Sequence, residues 1–96
     1  MHNHPPSLPV RTRVVRAAGA PIGTVERAVP LTPYTAQNIA EDALRGGRGS
    51  RLEVTVPAST ADATLTAVHR QFAWLGKRNI IVSVQRDRCA AALAPH

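Results

Sequence analysis

Thr32-Pro33 and Gly46-Gly47 bracket a stretch in which Ala36, Ile39, Ala40, Ala43 and Leu44 recur at i, i+3, i+4, i+7 and i+8. That spacing puts five apolar side chains on one side of an α-helix. Threonine followed by proline suits its start, and glycine suits its end. A helix apolar on one side only must be covered by something else. The flanking segments supply it, because Val10–Arg16 and residues 22–29 before the helix, and Arg51–Val56 after it, alternate with the period of two expected of strands. Gly19, Ala20 and Pro21 break the first pair into a hairpin.

Pro57 closes the third strand, and Ser59 or Thr60 is placed to cap a second helix, with Asp62 completing a Ser-x-x-Asp start. Its buried stripe reads Ala61, Leu65, Val68, Phe72 and Leu75 as far as Gly76, and residues 79–86 form a fourth strand. The order β-β-α-β-α-β predicts a two-layer α/β fold in which a four-stranded mixed sheet carries both helices on one face. With each strand beside its predecessor, the sheet order is 1-2-3-4. Leu52, Val54, Val56, Ile80, Val82 and Val84 then face the helices, while Glu53, Thr55, Ser83 and Gln85 face away. The organisation is a Pro-rich flexible N-terminus (1–9), one domain (10–86) and a C-terminal tail (87–96).

A chain of 96 residues suffices for one modest core, and a single cysteine, Cys89, fits a reducing, cytoplasmic setting without a disulfide framework. No apolar run is long enough for a signal peptide or a membrane span. His2, His4 and His96 lie in Pro-rich termini without the geometry of a metal site, so no metal or cofactor is expected. No pair of convergent titratable groups marks a catalytic centre, and the chain reads as a non-enzyme. Glu41 and Asp42 fall on the polar side of the first helix, and His69 at the boundary of the second helix's apolar stripe.

Two surfaces stand out. Trp74 projects away from the stripe of the second helix, onto the face bearing Ala63, Ala67, Arg70 and Lys77, where a protein partner would find an aromatic anchor in a strip of small residues. Ser59 and Thr60 open the same helix, where modification would add charge to that surface. The second surface is the segment Arg45-Gly-Gly-Arg48-Gly-Ser-Arg51 which, with Arg11 and Arg13 of the first strand, offers guanidinium groups to nucleic-acid phosphates. The net charge of +6 favours acidic partners. The only aromatics are Tyr34, Phe72 and Trp74, and none lies in a predicted strand.

The leading hairpin, then helix, strand, helix and strand, with Ser59-Thr60 opening the second helix, resembles the STAS domain of anti-sigma factor antagonists over Val10–Gln85. The resemblance implies a partner-switching module that binds a regulatory kinase or an anti-sigma factor, with Ser59 or Thr60 as the phosphorylated residue. Two departures accompany it. The family's Asp-Ser-Ser-Gly type sequence is replaced by Pro57-Ala58-Ser59-Thr60-Ala61-Asp62, and a later strand and helix are missing after the fourth strand.

Overall fold

The computed structural model describes residues 8–16 and 24–87. The chain forms β1 (Leu8–Val15), β2 (Thr24–Leu31), α1 (Pro33–Gly46), β3 (Arg51–Val56) and α2 (Asp62–Phe72), then a 3-10 helix (Ala73–Arg78) and β4 (Ile81–Arg86). The four strands form one mixed sheet with both helices over one face, as the order of elements predicts. The turn at Gly19–Pro21, the three terminal histidines and Cys89 lie outside the described residues.

The strand order differs from the expected 1-2-3-4. The sheet runs β2-β1-β3-β4, with β1 antiparallel to both β2 and β3, and β3 parallel to β4. A physical reason lies in the strands themselves. Val10, Thr12 and Val14 of β1 are all buried on the helix side, whereas β2 presents Val25, Arg27 and Val29 there and none is fully buried. Pro30, which lacks a backbone N–H, also suits β2 to an edge. The more apolar strand takes the interior position, and α1 passes over it to reach β3.

The helix layer is built as its sequence suggests at one end and otherwise at the other. Thr32 caps α1. Its hydroxyl accepts from the Thr35 N–H at 3.1 Å, while the Thr35 hydroxyl accepts from the Thr32 N–H at 2.8 Å, forming a reciprocal capping box. The cap of α2 is instead Ala61, without a side-chain hydrogen bond, so neither Ser59 nor Thr60 has the capping role. Ser59 lies in an exposed turn ahead of the helix, and the Thr60 hydroxyl is buried without a partner. Arg86 of β4 ties this approach down: its Nε donates to the Thr60 carbonyl at 2.9 Å, and its Nη2 reaches Asp62.

The predicted second helix does not run straight to Gly76. It tightens into a 3-10 helix at Ala73, which winds three residues per turn rather than 3.6 and carries Trp74. Val68, Phe72 and Leu75 remain in the core with Ile39, Leu52, Val54 and Val56. Complete burial of a side chain such as Phe72 or Leu52 contributes about 1.5–3 kcal/mol. Leu44 and Ala61, both assigned to apolar stripes, are exposed. Asn79, in the left-handed conformation at φ 62°, ends the 3-10 helix and delays β4 to Ile81.

Candidate nucleic-acid interface

The open face of the sheet carries Arg11, Arg13, Glu26, Glu53, Thr55 and Gln85, the last three as the alternation predicts. Its arginines are matched. Arg11 contacts Asp87 at 2.9 Å, Arg13 lies 3.9 Å from Glu26, and Arg51 lies 3.7 Å from Glu53. Arg51 of the Gly-rich segment, and Arg11 and Arg13, expected to act with that segment on phosphates, thus each have a carboxylate within 4 Å.

Asp42 corrects the expectation of a solvated carboxylate on α1. It is 6% exposed and accepts both branches of the Arg27 guanidinium, with Nη2 to Oδ1 at 3.0 Å and Nε to Oδ2 closer still. The hydrogen bond and then the charge of Asp42 hold the Arg27 pKa above its ordinary value against partial burial, with a smaller push from Glu41. A raised pKa means that, while Asp42 is ionised, this stabilisation is in place below the ordinary guanidinium range and lost as pH rises through the raised value. The signal was present in the sequence: Arg27 lies in phase with Val25 and Val29, so a charge on the core side of β2 required a partner from the helix above.

With Arg86 paired to Asp62, the only carboxylate among the described residues without an ion pair is Glu41. Arg16, Arg45, Arg48, Arg70, Lys77 and Arg78 have no carboxylate ion pair among the described residues, and all but Arg70, on α2, gather where β1 ends and β3 and β4 begin. Arg45 occupies the last turn of α1, and Lys77 and Arg78 the last turn of the 3-10 helix. Arg48, Lys77, Arg78 and Asn79 line a cavity of about 410 Å³ between these two helix ends.

The backbone fixes this basic end. Gly49 N–H donates to the Asn79 carbonyl at 2.8 Å and Ile81 N–H to the Ser50 carbonyl at 2.9 Å, joining the two cation-bearing loops. With its amide oxygen turned toward Arg48, Asn79 accepts from Nε at 3.2 Å and Nη2 at 3.3 Å, which orients the guanidinium without neutralising it. Gly47, at φ 86°, makes the turn out of α1. Gly46 is required for a different reason: a Cβ there would lie 2.5 Å from Ser50 Oγ and 3.3 Å from Val14 Cγ1.

Trp74 is 45% exposed and lines a groove of about 390 Å³ with Ala36, Gln37, Ala40, Glu41, Leu44 and Gln71, among others. Ala63, Ala67 and Arg70, its expected neighbours, are exposed on α2 and do not line this groove. Among the described residues no three His, Cys, Asp or Glu side chains could hold a metal ion, and no helix is long and apolar enough to cross a membrane. No family model matches the chain, and no significant match emerges among curated proteins or solved structures.

Proposed function

We propose that this domain binds nucleic acid, with the phosphate backbone held against the basic end formed by Arg45, Arg48, Lys77 and Arg78. The observation that carries this reading is the segregation of charge: carboxylates pair with the arginines of the sheet and, Arg70 on α2 apart, the cations left unmatched lie at one end. The C-termini of α1 and the 3-10 helix each contribute roughly half a unit of negative charge there. About three of the four positive charges remain available to a ligand. Arginine forks suit phosphate oxygens, and the backbone bonds between the two loops reduce the ordering cost of binding.

Fluorescence anisotropy of a labelled oligonucleotide tests this reading. If about four phosphates are engaged, affinity falls roughly 50-fold between 50 and 200 mM salt. The triple variant Arg48→Gln/Lys77→Gln/Arg78→Gln should bind at least 10-fold more weakly and show a salt slope shallower by about 2. Arg11→Gln/Arg13→Gln should bind within twofold of the parent. Equal losses in the two variants would overturn the assignment of the basic end.

A second reading, a regulatory protein-interaction module of the partner-switching kind, is supported by the exposure of Ser59 at the approach to α2 and of Ala63, Ala67 and Arg70 along it. A regulatory kinase or an anti-sigma factor is the partner it calls for. Under it, Ser59→Glu changes affinity for that protein and leaves oligonucleotide binding untouched. Burial of the Thr60 hydroxyl makes Ser59 the residue to test.

A further inference from the structure

Leu44 lines both the cavity at the basic end and the groove beside Trp74, so the two depressions are neighbours that meet at this side chain. A cationic cavity next to a groove with a half-exposed indole has two kinds of complementarity side by side, one for phosphate and one for an aromatic ring. Gln37 and Gln71 line the groove as well, and their amides offer both donors and acceptors. Small side chains, Ala36 and Ala40, leave room opposite the indole. Duplex nucleic acid keeps its bases stacked inside and exposes no ring face to such a groove. A single strand exposes one at every nucleotide.

Resting on the nucleic-acid reading above, we propose that the ligand is a single strand, with one base stacked on Trp74 and its adjoining phosphates over Arg48, Lys77 and Arg78. Glu41, also in the groove, limits affinity by facing the backbone with a negative charge, and it separates a base-accepting pocket from a general anion site. The aromatic that the strands lack is thus supplied by Trp74 of the 3-10 helix.

Trp74 is the chain's single tryptophan, so its fluorescence reports on this groove alone. Titration of the full chain with oligo(dT) or oligo(rU) at low salt should quench that fluorescence saturably, with the same midpoint as the anisotropy of the labelled strand. A duplex of the same length should bind more weakly and leave the emission unchanged. Trp74→Leu, which keeps apolar bulk but removes the ring, should weaken single-strand binding about 5- to 150-fold at an unchanged melting temperature, and Trp74→Tyr should restore most of it. Glu41→Gln should tighten binding severalfold. Binding of single strand and duplex alike, without quenching and without loss in Trp74→Leu, would overturn the stacking site while leaving the basic end in place. Absence of oligonucleotide binding at any salt concentration would overturn both.

Discussion

The two ends of the sheet handle charge in opposite ways. At the end where β3 and β4 finish, Arg86 is held by Asp62 and the Thr60 carbonyl, and Arg11 by Asp87. At the other end, Arg48, Lys77 and Arg78 line a cavity with no carboxylate among its lining residues, and Arg45 stands in the last turn of α1 beside it. The contrast separates cations that hold the fold together from cations available to a ligand, a distinction invisible in net charge. Exposed ion pairs such as Arg13 with Glu26 contribute little to stability, about 0–1 kcal/mol, so their importance here is in neutralising the sheet face.

The largest effect that would sharpen this contrast is expected at Arg27. Arg27→Ala leaves the Asp42 carboxylate buried without its partner and should lower stability by about 3 kcal/mol, toward the low end for a broken buried pair because Arg27 is itself partly exposed. Urea denaturation measures it, and anisotropy at a temperature where the variant is folded should show oligonucleotide binding unchanged. A loss below about 1 kcal/mol would place Arg27 with the surface pairs.

A smaller effect is expected where the basic end meets the core. Gly46→Ala forces a methyl group against Ser50, which is fully buried, and against Val14, so about 1–3 kcal/mol should be lost through overpacking. Because this shift displaces the loop that carries Arg48, oligonucleotide affinity should fall as well. Retained stability with unaltered affinity would show that the loop accommodates change and is not preorganised.

The smallest effect belongs to the opposite end. Thr60→Val replaces a buried, unpartnered hydroxyl by a methyl group of similar size, and thermal unfolding should register neutrality or a gain within about 1 kcal/mol. A clear loss of stability would reveal a partner for that hydroxyl and reopen the question of what the approach to α2 does.

The parts of this molecule legible in its sequence are those dictated by local rules. The Thr32 cap, the α1 stripe from Ala36 to Ala43, and the faces of β3 follow from spacing alone. Strand order was not legible, because it depends on which strand gains more from the interior, a comparison between Val10-Thr12-Val14 and Val25-Arg27-Val29 that no single segment contains. The groove beside Trp74 was not legible for a related reason: Ala36, Ala40 and Glu41 line it from α1, and no periodicity within the second helix contains them. The candidate site was half legible. Arg45 and Arg48 stood out in the glycine-rich segment, but Lys77 and Arg78 lie about thirty residues further on, and only the pairing of β3 with β4 brings the two groups together.

The interior place of β1 has a consequence for how the protein is made. β1, made before the other strands of this sheet, needs neighbours on both sides, and the second of these, β3, is complete only at Val56. Until then the nascent chain has a hairpin with one apolar face, and α1 alone to cover it, an arrangement too small to be stable in water. Consolidation of the domain must therefore wait for β3 to be made, and the interval before it, in which the edge of β1 has no partner, is the period in which this segment most needs protection from aggregation.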